Sequence, residues 1–292
     1  MEWEEKIEKE LSEAEMVLVG LGEEFDECKE AKDLDLIENM LVECEAAWLI
    51  PEVWNALREK AKGENADERI EMLNKLADRL KDKNCYILCL AENREIANVP
   101  WREGRLVAPY GFGTKKQCAL SCEGEEPKKL TENERDAIEQ ATREFLSKLY
   151  DKKASDTEAN DKEHPLGKAE KKDQVQWGDL PVQVREAMEM IQRREQIRAA
   201  ALEYQKKCEA ILGSCPICGG HEILNVVQAS KYDQRGYLKE WTRYTKWLYG
   251  SMNRKLLILG LGTSKKHPEL LQGAFQKLAE LHTKAIYHQI LL

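Results

Sequence analysis

Two short runs decide the fold: Cys215-Pro-Ile-Cys218-Gly-Gly and Lys255-Leu-Leu-Ile-Leu-Gly-Leu-Gly-Thr-Ser264. The first has two thiols two residues apart, with proline and paired glycines around them, which is the local form of a metal-binding knuckle. The second is a continuous apolar run that ends in a glycine turn. Its shortness and its bounding glycines predict a strand buried on both faces. A metal clip and a strand end suited to a ligand thus share one stretch, and the rest of the chain is read as what completes each.

Working outward, the same strand-then-glycine pattern occurs near the start. Met16-Val-Leu-Val-Gly20 reads as a buried strand and runs into Gly20-Leu-Gly22-Glu-Glu-Phe. A strand, a tight glycine turn and helix-forming residues open a nucleotide-binding α/β unit. Cys85–Leu90 and Arg105–Ala108 read as further strands, the latter stopped by Pro109 and Gly111. Between and around them, apolar residues at helical spacing predict helices over 2–14, over 34–61 with a break at Pro51, and over 66–81. The expected fold class is α/β, a Rossmann-like parallel sheet with a small zinc-binding module and a helical insert.

The C-terminal half supplies the insert and closes the sheet. Thr131-Glu-Asn-Glu134 is a capping box and starts a helix to about Tyr150. Asp179-Leu-Pro181 starts a long helix through Ile211, stopped by Gly213. The charged stretch between them, 151–175, is expected to be a flexible linker. Ile223–Val227 reads as a strand, Gly236–Tyr249 as an aromatic-rich helix, Pro268–Leu281 as a helix and Ala285–Leu291 as a last strand. The expected domains are 1–117 with 223–292 for the sheet, and 118–222 for the zinc module with its insert.

Zinc favours four thiolates or imidazoles in a tetrahedron. Cys118 and Cys122 supply a second pair to complement Cys215 and Cys218. The separation between the pairs is long, and an antiparallel hairpin of the two insert helices would return the chain to its origin. His221 is a rival ligand, and Cys208 lies a short way before the knuckle. Cys28, Cys44, Cys85 and Cys89 fall in apolar segments and fit buried cysteines acting as small hydrophobes.

With 45 Lys and Arg against 54 Asp and Glu, the chain carries a formal charge of −9, which argues against a nucleic-acid or anionic-membrane partner. No apolar run approaches the ~20 residues of a spanning helix. The charged start is not that of a signal peptide, and cysteines clustered for metal suit a reducing compartment. A cytoplasmic location is expected.

These motifs together resemble the sirtuins, the NAD-dependent protein deacylases, and in particular a divergent bacterial branch. The resemblance is carried by Cys215–Gly220, Lys231-Tyr, Tyr244-Thr-Lys-Trp-Leu, Asn253-Arg-Lys-Leu and Gly262-Thr-Ser264. It implies a structural zinc held by Cys118, Cys122, Cys215 and Cys218. It also implies NAD or a related nucleotide held by Gly20, Gly22, Asn93, Gly262, Thr263 and Ser264. The departures are as informative. Leu21 replaces a small residue, and Glu23 and Glu24 put carboxylates where an anion would be attracted. The family's Thr-x-Asn-x-Asp segment falls on Cys89, Ala91 and Asn93. The position of the family's catalytic histidine is occupied by Tyr110, a poor base at neutral pH; His164, His221, His267, His282 and His288 all lie elsewhere.

The resulting expectation is a sirtuin-like zinc protein without ordinary deacylase activity, a pseudoenzyme with a nucleotide ligand or a protein partner. The alternative is an active, atypical NAD-consuming enzyme: a protein deacylase, an ADP-ribosyltransferase or an NAD hydrolase. A zinc-stapled scaffold with no small-molecule site is a third reading.

Overall fold

The structure, a computed structural model, describes residues 2–26, 33–62, 67–150, 181–264 and 267–291. The expected linker, Cys28 and His164 lie outside the described residues.

The central strand β1 (Met16–Leu21) is buried at every residue. It pairs in parallel with β2 (Asn84–Cys89) on one side and β7 (Leu256–Leu261) on the other, in matched register from Met16 opposite Asn84 and Leu256 to Leu21 opposite Cys89 and Leu261. Outside these lie β3 (Leu106–Val107) and β8 (Ala285–Ile290), which gives a five-stranded parallel sheet in the order β3-β2-β1-β7-β8. Strand order reverses between β1 and β7, where open α/β sheets have their crevice.

Because successive side chains face opposite ways, each strand feeds two cores. Val17, Val19, Leu21, Ile87, Leu257 and Leu259 pack with α1 (Glu2–Glu13) and α4 (Glu68–Leu80). Met16, Leu18, Tyr86, Leu88 and Ile258 face α8 (Arg235–Ser251) and α9 (Gln272–Leu281). The aromatic pattern of α8 is explained by this packing, since the Tyr86 ring lies 5.7 Å from that of Tyr244 and 5.2 Å from that of Trp247.

A third core stands apart from the sheet. It joins α2 (Leu34–Glu43), α3 (Ile50–Lys62), α6 (Glu132–Tyr150) and α7 (Val182–Leu212). The α6–α7 pair is the expected hairpin: Phe145 stacks on Tyr204 at 4.7 Å and Thr142 Oγ1 lies 2.6 Å from the Tyr204 hydroxyl. The capping box forms as read, with Glu134 N–H donating to Thr131 Oγ1 and Thr131 N–H donating to Glu134. One expectation is corrected. The break in 34–61 is not at Pro51, which sits in the first turn of α3, where a missing N–H costs nothing. It falls at Cys44–Ala46, where Glu45 takes a φ of 60°.

Beside the third core lies a small antiparallel sheet of β4 (Lys115–Cys118), β5 (Lys128–Lys129) and β6 (Glu222–Leu224), in the order β5-β4-β6. The short helix α5 (Glu95–Asn98) lies between β2 and β3. Among the described residues, no helix is long and apolar enough to cross a membrane.

The tightness of the sheet–α9 contact is testable at Gly20. A Cβ there would lie 2.3 Å from Phe275 and 2.6 Å from Leu271. Gly20→Ala is expected to lower the urea-unfolding free energy by about 1–3 kcal/mol, the usual range for overpacking. Phe275→Leu in the same chain should recover part of that loss. Additive losses in the double variant would show that the two sites are not in contact.

Candidate functional site

The four cysteines converge as the paired spacing requires. Cys118 ends β4, Cys122 follows a turn in which Ser121 has a φ of 51°, and Cys215 and Cys218 flank the knuckle. Their Sγ atoms all lie within 4.8 Å of one another. Cys118 Sγ is 3.5 Å from Cys122 Sγ and 3.6 Å from Cys218 Sγ. Four thiolates ~2.3 Å from one tetrahedral zinc would have sulfurs about 3.8 Å apart, so the donor set fits that ion. Backbone groups support the sulfurs: Leu120 N–H points at Cys118 Sγ (3.3 Å), and Gly220 N–H points at Cys218 Sγ (3.4 Å). Gly219, at a φ of 71°, lets the knuckle turn and donates to Cys215 O. Burial would push the Cys118 thiol up, but N–H groups of Cys122 and Leu120 and the neighbouring thiols outweigh it and bring it down to about 7. His221 is exposed and 3.8 Å from Glu209, outside the cluster. Cys208 is buried in the third core and belongs with Cys44, Cys85 and Cys89 as a packed thiol.

The strand ends also converge, but their residues are engaged with one another. Gly20 is inside β1, and its missing side chain makes room for Phe275. Gly22 donates its N–H to Leu261 O, and a Cβ on it would lie 2.5 Å from the Thr263 backbone. The loops after β1 and β7 are therefore in backbone contact across the switch point. Thr263 Oγ1 donates to Glu24 Oε1 at 2.5 Å, and Glu24 N–H donates to Thr263 O. Gly262, at a φ of 66°, donates to Ile290 O and accepts from Gln289. Ser264 is buried, and its Oγ accepts the N–H of His267. Asn93 is buried too: its amide donates to Phe25 O and its Oδ1 accepts the N–H of Glu95.

Carboxylates crowd the same place. After β1 the chain makes a 3-10 turn over Glu23–Asp26. Asp26 accepts the N–H of Glu92 with both oxygens at 2.9 Å, which locks the loop after β1 to the loop after β2. Burial pushes Asp26 up to about 6; Arg58 and the N–H groups of Glu92 and Asn93 oppose this, and Glu23 adds to it. Glu92 in turn accepts from Gln228. Tyr110 faces this group. Its hydroxyl is buried without a hydrogen-bond partner among the described residues, and its ring meets His267 edge-on at 6.1 Å. Burial, then the charges of Glu23, Glu92 and Glu269, push Tyr110 up to about 12. At neutral pH it is a phenol that can donate a proton, not a base that can take one.

Asp26, Glu92 and His267 are the parts of this site that sequence reasoning missed. The signal for His267 was its position three residues past Ser264; Asp26 and Glu92 had none beyond following a strand. Behind Asn93 a cavity of about 320 Å³ is lined by Glu52, Asn55, Arg58 and Arg94 among others. Its charges compensate internally, because Arg94 pairs with both Glu52 and Glu139.

No protein-family model matches the chain, and no curated protein matches it. Among solved structures 27 chains match. One is the sirtuin Sir2Tm bound to a propionylated peptide, 10% identical, aligned over 99% of this chain and 86% of that one, with a TM-score of 0.41. At that score no residue correspondence is taken from it.

Two outcomes follow from the geometry. Protein purified without chelator should carry about one zinc per chain in an all-sulfur shell, with Zn–S near ~2.3 Å by X-ray absorption. Cys215→Ser should lose the metal and His221→Ala keep it; metal-free native protein would remove the site. The second concerns pH. With Asp26 raised from 3.8 to about 6, the folded chain holds a proton between those values that the unfolded chain has released. Its contribution therefore favours the folded state at about pH 4 and is lost as pH rises through 6, on the order of 3 kcal/mol in all. The unfolding free energy of the native chain minus that of Asp26→Asn should fall between pH 4 and pH 7. A difference independent of pH would contradict the assignment.

Proposed function

We propose that this chain is a sirtuin-like, zinc-bearing α/β binding protein that does not carry out ordinary NAD-dependent deacylation. The observation that carries the reading is the Thr263–Glu24 hydrogen bond with the carboxylates around it. In a nucleotide-binding unit, the turn after the first strand offers free backbone N–H groups and a helix N-terminus to a pyrophosphate. Here Gly22 spends its N–H on Leu261 at the end of β7, and Glu24 spends its N–H on Thr263 in the loop after it. Glu23, Glu24, Asp26 and Glu92 then add negative charge where phosphate oxygens would have to sit. A pyrophosphate could enter only by breaking the inter-loop bonds and standing among like charges.

The missing base points the same way. The resemblance places Ala91 and Asn93 at polar positions of the family's catalytic segment. Ala91 has no hydrogen-bonding group, and the Asn93 side chain is committed to Phe25 and Glu95. In this reading the zinc is structural, since four thiolates close its coordination shell. The proposed units are 1–117 with 223–292, and 118–222, and α2 and α3 join the core of the second.

One observation favours a second reading, an atypical NAD-consuming enzyme: the unpartnered Tyr110 hydroxyl beside His267. A phenol held protonated there could act as a general acid.

One assay separates the two. The native chain, Tyr110→His and Tyr110→Phe are incubated with an acyl-lysine peptide and NAD, and nicotinamide release is followed. Background release is expected from all three, because restoring a base worth ~100- to 10,000-fold does not open a closed crevice. Turnover by the native chain that Tyr110→Phe abolishes would establish the enzyme and sink the binding-protein reading. In calorimetry, Glu23→Gln with Glu24→Gln should tighten NAD binding by roughly tenfold, the equivalent of about 1.4 kcal/mol.

A further inference from the structure

A group of cations without carboxylate partners among the described residues lines a cavity away from the crevice described above. A cavity of about 570 Å³ opens beside the edge strand β3, between the loop that precedes β3 and helix α8. Its volume is in the range of roughly 300–1,000 Å³ typical of small-molecule sites. Arg102, Lys115, Lys129, Lys239 and Arg243 line it, against only two carboxylates, Glu103 and Glu240. The local balance is positive in a chain of formal charge −9. None of the five cations lies within ion-pair distance of a carboxylate among the described residues. The ammonium of Lys115 instead donates to the carbonyl of Gly236. By contrast Arg105, on the same turn, is spent on the Tyr86 ring at 4.9 Å.

Aromatic rings share the walls. Trp101, Phe112, Tyr232 and Tyr237 all line the cavity. Two of the polar tips are satisfied elsewhere: Trp101 Nε1 donates to Ile96 O at 3.0 Å, and the Tyr232 hydroxyl donates to Pro109 O at 2.6 Å. Tyr232 and Tyr237 stack nearly parallel, 15° apart, with centroids 6.2 Å from each other. The frame is stiff. Asn225 donates to Gln117 Oε1 and Asp233 O, and Gly236 has room only for hydrogen, because a Cβ would lie 2.1 Å from Asn225 Oδ1. Gly104, at a φ of 69°, passes close to the Arg243 guanidinium: a Cβ would lie 3.3 Å from Nη1.

Unpaired guanidinium groups select phosphate oxygens, and ring faces select a planar partner. We propose that this cavity binds a small phosphorylated ligand with a planar ring, of the chemical class of a mononucleotide. The phosphate lies against Arg102, Lys239 and Arg243, and the ring against the aromatic wall. The site is independent of the switch-point crevice: it lies on the far side of β3 and supplies the positive charge that Glu23, Glu24 and Asp26 deny there.

The probes are AMP, GMP, CMP and UMP, titrated calorimetrically into the full zinc-loaded chain, with adenosine and inorganic phosphate as partial ligands. At least one nucleotide is expected to bind below about 1 mM. Its nucleoside and free phosphate should each bind at least roughly tenfold more weakly, since each keeps half of the contacts. Arg243→Gln should weaken the nucleotide about tenfold or more. The thermal midpoint should stay within about 2 °C, as expected for an exposed charge with no partner. Lys148→Gln, which removes a cation from the distant α6–α7 hairpin, should leave affinity unchanged. Three results would each overturn the proposal: no nucleotide binding below about 5 mM, equal affinity for nucleoside and nucleotide, or binding that survives Arg243→Gln combined with Arg102→Gln. Should Arg243→Gln unfold the chain, Lys239→Gln makes the same measurement from the next turn of α8.

Discussion

Burial of β1 on both faces and along both edges is the constraint from which the rest follows. Its six residues are all buried, so every backbone N–H and C=O must find a partner inside the protein. The matched register with β2 and β7 supplies those partners and brings the three strands to an end at one level. The loops that follow have no choice but to meet. In many α/β proteins such loops diverge and leave a crevice. Here the ladder continues past the strands, from Gly22 to Leu261 and from Leu90 to Leu21. Contact between the loops replaces the space.

The four-thiolate cluster answers a different problem. The small sheet has strands of only two to four residues, too short to be stable alone. The third core holds the helices and meets this sheet through Ile223 and Leu224 of β6, while Lys116 of β4 pairs with Glu134 of α6 and donates to Leu212 O of α7. A metal tying Cys118 and Cys122 to Cys215 and Cys218 would join chain segments separated by the whole hairpin. Such a metal would also brace α8, because Arg235 donates to the carbonyls of Cys122 and Glu125 while pairing with Asp233. The Cys118–Cys122 loop, the first turn of α8 and the floor of the basic cavity are thus one connected frame.

Charge is segregated across β3. Acidic side chains occupy the strand ends, where burial raises Asp26, and burial first and the carboxylates second raise Tyr110. Basic side chains without carboxylate partners among the described residues line the opposite side. Five cations face two carboxylates in that concave surface, although the chain as a whole carries a formal charge of −9. A family resemblance carries fold better than chemistry.

What the sequence by itself determined was local. Leu256–Leu261 is a strand because an unbroken apolar run between charged and glycine residues has no other way to bury itself, and it forms over the residues read from it. The capping box at Thr131 and Glu134 and the Cys215–Cys218 knuckle are equally self-contained, as their partners lie within a few residues. The tertiary structure decided what depends on neighbours remote in the chain. Gly20 and Gly22 carry the same motif signature, yet one makes room for Phe275 and the other for the Thr263 backbone. Sequence spacing left the direction of Glu23 and Glu24 open, and the meeting of two strand ends turned Glu24 onto Thr263. Asn93 reads as a ligand-binding residue until Phe25 arrives from another strand end to take its amide. The basic cavity could not be read at all. Its residues are scattered from Ala97 to Arg243, and only the packing of α8 against the edge of the sheet brings them to one surface.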